Sequence, residues 1–391
     1  MTDLRTSVAV VGGGANGLAV ALGLARAGVP VTLLGAVDAP RDDGRTAALM
    51  QPSLDLLASL DVLERLMPRA WPLAAIRLID ITGALVRAPT VTFRAAELDL
   101  PHFALNFSNA DIVRHLTAAL REEMAGVEAA LVRSADFSGD AAVLTLSDGR
   151  RLTADLVVAA DGQNSALRTA ADIPVKRWDY DQVALTFHVR HTRDHEDIST
   201  EFHTRAGPLT YVPFGDFTSS VVWLVTRGEA QRLTALEPQA VAIACQRQSS
   251  SLLGDLTILG RVGAVPMGGL IAKTAVAPRL ALVGEALHAF PPVGAQGMNL
   301  GLRDAGSLAR LVGEAHQSGG DVGGTAVLSA YERGRQVDAV SRTYGVDLLN
   351  RTLIANLLPL DLIRTAGLTA AAHIPPLRRV LMRAGMGQAP V

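Results

Sequence analysis

The stretch Val8-Ala9-Val10-Val11-Gly12-Gly13-Gly14-Ala15-Asn16-Gly17-Leu18-Ala19-Val20-Ala21 decides how the chain is read. Val8 to Val11 is a short, apolar, β-branched run, the pattern of a strand buried on both faces. Gly12-x-Gly14-x-x-Gly17 follows directly, and Leu18 to Ala27 continues as an apolar helix ended by Gly28. Val31 to Leu34 then reads as a second buried strand. Glycines at the turn between strand and helix let a backbone approach a dinucleotide pyrophosphate. The helix N-terminus adds unpaired N–H groups and partial positive charge. Gly35 stands where an acidic residue closing the second strand would hold a ribose hydroxyl. Asp38 is three residues on, in a run with Asp42 and Asp43 that reads as a solvated loop. Ser7 to Ala25 carries no charge, but the three glycines at its centre weaken any membrane-spanning helix, and a basic leader is missing.

The 391 residues predict two closely packed domains. A net charge of −2 excludes a nucleic-acid binder running on bulk positive charge, and 4% aromatic residues argue against base-stacking platforms. At 49% hydrophobic, the chain has ample material for a core. One cysteine, Cys245, forbids an internal disulfide and fits a reducing compartment, so a cytoplasmic location is expected. Cys245 lies in the apolar helical pattern Ala240–Gln246, where it reads as core filling.

Ala142 to Leu146, closed by Ser147-Asp148-Gly149, and Leu156 to Ala160 read as strands. Between about 183 and 225 the segments Ala184–Val189 and Ser220–Thr226 alternate, predicting an antiparallel sheet with one face covered. Leu280 to Val283 is another buried strand, and a helix is predicted from near Gly297 to about Val312. The expected fold is α/β: a discontinuous Rossmann-like nucleotide-binding domain (1–70, 101–175 and 276–345), an inserted antiparallel-sheet domain (71–100 and 176–275) and a C-terminal helical tail (346–391).

Two further motifs carry chemistry. In Asp155-Leu-Val-Val-Ala-Ala-Asp161-Gly162-Gln-Asn-Ser165-Ala-Leu-Arg168 a strand empties into a tight Asp-Gly turn. In Arg279 to Asp304 a buried strand delivers Glu285 at its end, suited to the hydroxyls of a polyol. A loop then carries Pro291, Pro292, Gly294 and Gly297 before a helix whose N-terminus can stabilise negative charge.

With Gly44-Arg45-Thr46-Ala-Ala-Leu49 and Leu328-Ser-Ala-Tyr331-Glu332-x-x-Arg335, these motifs occur in the order that the chain shares with a known family. It resembles the FAD-dependent aromatic hydroxylases of the single-component class, with the para-hydroxybenzoate hydroxylase fold. Within them it is most similar to the ubiquinone-biosynthesis hydroxylases. The resemblance implies an FAD-binding domain, an inserted substrate domain, NADH or NADPH as electron donor and O₂ as co-substrate. Gly12, Gly14 and Gly17, with Ala15 and Asn16 in the same turn, would meet the pyrophosphate, and Arg45 and Thr46 the riboflavin part. Asn109 and Arg114 stand where the family contacts FAD, and Asp161 would border it. Glu285, at a position where most members have Asp, would take the ribityl hydroxyls, with Gly284 beside it in the cofactor site. Pro292, Gly294, Gln296, Gly297, Met298 and Asn299 would face the isoalloxazine ring.

The implied reaction is hydroxylation of the ring of a polyprenyl phenol or quinol precursor in ubiquinone biosynthesis. A flavin C4a-hydroperoxide would be the electrophile, with the protein supplying placement and dryness. The alternatives are a hydroxylase or epoxidase for another aromatic or lipid, and a catalytically silent flavoprotein scaffold. His288 is a candidate base, more simply read as packed and hydrogen-bonded behind the loop; no residue is identified to accept the phenol's proton. His188, His191, His195 and His203 fit no closed zinc spacing and read as surface or strand residues, so no metal is expected. After Asp361 the tail has no acidic residue but carries Arg364, Arg378, Arg379 and Arg383 among apolar residues. A basic amphipathic helix there is either a solvated helix packed on the core or, as the resemblance favours, a surface for peripheral association with the inner membrane face or a biosynthetic complex.

Overall fold

Four parallel strands form the centre of the first sheet. A computed structural model describes residues 3–35, 44–83, 87–123, 127–291, 296–335, 365–367, 369–370 and 372–386. Asp3–Val11 lies between Val31–Leu34, with Val8 opposite Val31, and Arg151–Ala159, with Val8 opposite Leu156. Leu280–Leu282 continues the sheet beyond Arg151–Ala159, Val157 facing Leu280. Val8, Val10, Leu33, Leu156, Val158 and Leu280 are completely buried, so these strands read as continuous apolar runs. The helices Ala15–Arg26, Asn109–Glu123 and Gln296–Gln317 pack together beside them.

The first helix opens at Ala15, inside the glycine turn and earlier than the apolar pattern suggests, because Gly14 serves as its N-cap. The Gln296–Gln317 helix runs five residues past Val312, its last turns being too polar to show in the apolar periodicity.

The second sheet has eight strands, in the order His288–Ala289, Leu256–Ala272, Val175–His191, Thr218–Thr226, Gly207–Gly215, Ile198–Thr204, Ala75–Asp80 and Val91–Arg94. It is antiparallel except that Ile198–Thr204 runs parallel to Ala75–Asp80, a pairing between segments too far apart in sequence for local pattern to reveal. Side chains alternate across it. Phe187, Phe202, Tyr211, Val221 and Trp223 point to one face, where Arg227–Thr234 and Pro238–Gln248 cover them with Leu233, Val241 and Cys245. The opposite face forms a cavity wall, which corrects the expectation of a single covered face.

Thr46–Met50, Ala104–Ser108 and Trp71–Leu73 form a small third sheet. Residues 346–364 of the tail lie outside the described residues, as do Asp38, Asp42 and Asp43. Pro375–Gly385 is helical.

Candidate active site

The glycine turn is fixed by close backbone approaches. A Cβ on Gly12, whose φ is +126°, would lie 2.1 Å from the Ala160 carbonyl oxygen, and one on Gly17 would lie 2.0 Å from that of Gly12. Those two glycines let the turn fold. Gly14 is different: its φ is −77°, and a Cβ there would meet nothing within 4 Å. Gly14 borders an open cavity of about 950 Å³.

That cavity begins at Gly12–Gly17, passes Arg45, Thr46, Asn109, Asp161 and Glu285, and reaches Gln296, Gly297 and Met298. It ends in an apolar chamber against the second sheet. Two buried side-chain oxygens beside the groove, Asn109 Oδ1 and Asp161 Oδ1, have no hydrogen-bond partner among the described residues. Buried acceptors left unmade are costly, so the groove is suited to a ligand bringing donors.

The turns around the groove are tied together. Asp161 Oδ2 accepts from the Ala166 N–H at 2.9 Å, and Arg168 donates to the carbonyls of Ala286 at 2.7 Å and Gln163 at 2.8 Å. The Asn16 amide fills the space that glycine leaves at both Gly284 and Gly301: a Cβ on either would meet Asn16 Nδ2 at 2.2 Å. Gly284 itself has φ +61°. Gln163 Nε2 donates to Glu285 Oε2 at 3.4 Å. Gly35, with φ +137°, packs on the glycine turn; a Cβ there would sit 3.3 Å from the Gly13 nitrogen. The backbone at the end of this strand therefore disfavours the acidic residue that the sequence pattern leads one to seek.

Several expected residues act behind the groove. Asn299 is buried: its Oδ1 accepts from Met50 N–H at 2.9 Å and Ser53 Oγ at 2.7 Å, and its Nδ2 donates to the Ala48 carbonyl at 2.8 Å. It fastens the 296–317 helix to the Thr46–Met50 strand. His288 is also buried away from the cavity, with Nε2 2.7 Å from Asp304 Oδ2. Arg335 Nε donates to Asp304 Oδ1 at 2.7 Å, and the Gly284 N–H donates to Oδ2 at 3.1 Å. Complete burial pushes the Asp304 carboxyl up. The charge and hydrogen bond of His288, then those of Arg335, more than reverse this and hold it below the usual carboxylate range. Arg114 does not line the cavity; its guanidinium pairs with Asp111, which Arg69 also holds at 2.8 Å. Pro292 and Gly294 lie outside the described residues.

Within the Leu328–Arg335 motif, Tyr331 donates to the Leu282 carbonyl at 2.8 Å and Glu332 accepts from the Ala275 N–H at 2.6 Å. With the Arg335–Asp304 pair, these contacts hold the fourth parallel strand and the turn after it. The four histidines are strand or loop residues, but His191, His195 and His203 are buried rather than superficial, each with hydrogen bonds. Among the described residues no group of three His, Cys, Asp or Glu side chains could hold a metal. Also among them, no helix is long and apolar enough to cross a membrane.

A family model described as an FAD binding domain matches residues 5–343 of the chain. The chain belongs to this FAD-binding family. FAD is its cofactor, and its activity is that of a monooxygenase, an oxidoreductase using O₂ with NAD(P)H as donor. It is 32% identical to the 3-demethoxyubiquinol 3-hydroxylase of Escherichia coli (strain K12), over 99% of this chain and 100% of the relative. It is also 32% identical to the ubiquinone hydroxylase UbiL of Rhodospirillum rubrum, over 98% and 90%. Among solved structures, p-nitrophenol 4-monooxygenase PnpA from Pseudomonas putida DLL-E4 superposes with a TM-score of 0.79 at 19% identity, covering 100% of both chains. The Pseudomonas aeruginosa protein PqsL in complex with 2-aminobenzoylacetate gives 0.79 at 22% identity, over 93% and 99%. These structural likenesses establish the shared fold.

The sequence missed most of the chamber's wall. Phe103, Asn106, Phe290, Glu201 and Thr210 line the cavity, as do Met382 and Met386 from the tail. Wall residues of the second sheet alternate with core residues, so their polar members read as solvent-facing when only one chain segment is in view.

Proposed function

We propose that the chain hydroxylates the aromatic ring of a polyprenyl phenol or quinol precursor during ubiquinone formation. The observation that carries this reading is one continuous cavity leading from the glycine turn to a chamber lined by Leu73, Ile76, Leu78, Phe93, Phe103 and Met267. Its volume, about 950 Å³, stands at the upper end for ligand sites, as a large cofactor and a hydrophobic substrate together require. The relatives named as ubiquinone hydroxylases support the substrate class.

In this reading Gly12, Gly14, Ala15, Asn16 and Gly17 receive the FAD pyrophosphate. Arg45, Thr46, Asn109, Asp161 and Glu285 receive the more polar parts of the cofactor, and Gln296, Gly297 and Met298 border its ring. FAD, when bound, supplies the oxygen-activating redox chemistry. The protein orients the phenol, keeps water out with apolar side chains, and sets the N-terminus of the 296–317 helix where negative charge develops. The residue ranges 71–100 and 176–275 act as the substrate domain.

The tail extends the reading to a membrane surface. In the Pro375–Gly385 helix, Leu377, Val380 and Leu381 are exposed at helical spacing beside exposed Arg379 and Arg383. Met382 and Met386 turn inward to the cavity side. Arg378, one of the basic residues counted from sequence, instead faces Glu97 at 2.7 Å and the Phe93 ring. Peripheral attachment on the cytoplasmic face through this helix would deliver a lipid-dissolved substrate to the chamber.

The test is complementation of strains each lacking one ubiquinone ring-hydroxylation step, with quinone intermediates followed by mass spectrometry. Rescue of one step is expected. Rescue of none, from stable flavin-loaded protein, refutes the substrate class.

A further inference from the structure

The chamber wall supplied by the second sheet is apolar except for a short polar strip: Thr186, Ser199, Glu201, Thr210 and Ser220. Glu201 is the one ionisable group on that wall among the described residues. Its side chain is 14% exposed, so its carboxylate has lost most of its water. One oxygen, Oε1, accepts from His203 Nε2 at 2.8 Å. Among the described residues, the other, Oε2, has only a long 3.4 Å hydrogen bond from Thr210 Oγ1. A carboxylate offers about four lone-pair sites, and the described residues use two of them. His203 is buried behind it, its Nδ1 without a partner among the described residues. A carboxylate in a polar strip facing an otherwise apolar chamber, with acceptor capacity to spare, is completed by a donor arriving from the cavity.

We infer that Glu201 Oε2 accepts the hydrogen bond of the substrate's phenolic hydroxyl and takes its proton as the ring is hydroxylated. The inference rests on the phenol or quinol substrate proposed above. In the step, the phenol O–H bond breaks and an O–H bond forms on Glu201, while the electron pair left on oxygen moves through the ring to make the new ring C–O bond to one atom of O₂ as the O–O bond breaks. The attacked ring carbon then loses its own proton into the water made from the second oxygen atom of O₂. Glu201 returns its proton to the phenolic oxygen as aromaticity is restored, and ends the cycle ionised. The oxidant is O₂ and the reductant NAD(P)H, both belonging to the monooxygenase activity. His203 is a positioning residue that points Oε2 toward the chamber. This assigns the proton acceptor for which the sequence offered no residue.

The experiment compares binding of 2-prenylphenol and its O-methyl ether to the FAD-loaded protein, read from the flavin absorbance without NAD(P)H. Wild type should bind the phenol at least about tenfold more tightly, as expected for a hydrogen bond to a charged group. Glu201→Gln should shrink that ratio several-fold and Glu201→Leu should abolish it, with affinity for the ether unchanged. With NAD(P)H, Glu201→Gln should lower kcat by about 100-fold or more, the usual range for a lost general base. Equal loss of affinity for phenol and ether in the variants would mark Glu201 as merely structural and overturn the inference. If a variant fails to fold, wild type still decides: equal affinity for both probes, with the phenol still hydroxylated, overturns the role of Glu201 alone. Binding of neither probe, with no hydroxylation, overturns the substrate reading and this inference with it.

Discussion

Gly14 and Gly17 share a motif but answer to different constraints. Gly17 packs on the Gly12 carbonyl, so Gly17→Ala should destabilise the apoprotein by about 1–3 kcal/mol, seen as a lower denaturant midpoint. Gly14 faces open space. Gly14→Val should therefore fold with nearly wild-type stability yet purify without the visible flavin absorbance, because only the ligand would meet its side chain. Flavin at full occupancy in that variant would refute the pyrophosphate seat. The sequence displays the glycines but not this division of labour, since a pattern of missing side chains does not say what lies opposite each one. Cys245 was more legible. Its apolar helical setting marks a core residue, and burial pushes the thiol up to about 12, with Tyr211 Oη 3.1 Å from Sγ. It should resist a thiol reagent at pH 8 in native protein and react fully in denaturant. Rapid native labelling would show that the helix over the second sheet opens readily.

At the scale of elements, the parallel strands were readable because burial on both faces leaves uninterrupted apolar runs, as in Leu280–Leu282. The links between elements were not, because they are made by polar residues distant in sequence. Asn299 joins a helix to a strand some 250 residues earlier, and Asp304 joins the Gly284 turn, His288 and Arg335. Nothing in local periodicity separates such a clamp from a ligand contact, so Asn299 read as ring-facing, whereas His288 is packed and hydrogen-bonded behind the loop as its simpler reading has it. The Asp304 clamp has a pH signature. Its folded-state pKa lies below the value of about 3.9 for an unfolded Asp, so its contribution is fully present above that value and lost as pH falls through the lower folded one. Asp304→Asn removes the buried charge that Arg335 Nε donates to and that His288 faces. It should cost about 3–5 kcal/mol at neutral pH, the usual penalty for halving a buried pair. Denaturant midpoints measured against pH should show that gap closing as pH falls below the ordinary carboxylate range. A gap that widens on acidification would reverse the assigned direction.

On the scale of the whole molecule, the cavity belongs to no single part. The first sheet supplies the glycine turn, the second sheet the chamber wall, and the tail helix Met382 and Met386, with Gln296 Nε2 donating to the Gly385 carbonyl at 3.2 Å. The sequence motifs mark one end of this space, where backbone geometry demands special residues. The other end is built from ordinary alternating strands and becomes visible only when they are paired. A ligand spanning such a cavity must stabilise the native state by mass action, and free FAD at a hundredfold its Kd adds about 2.7 kcal/mol. For a chain this long that corresponds to a rise in Tm of about 3–5 °C. Stripping FAD should lower the melting temperature, and re-addition should restore it with a concentration dependence set by Kd. The Gly14→Val protein, carrying the same core contacts but a blocked seat, should melt near the wild-type apoprotein and ignore added FAD. A variant that still gains stability from FAD would mean that the cofactor is held chiefly by the groove beyond the turn, from Asn109 and Asp161 to Met298, and that the glycine motif contributes the local fold alone.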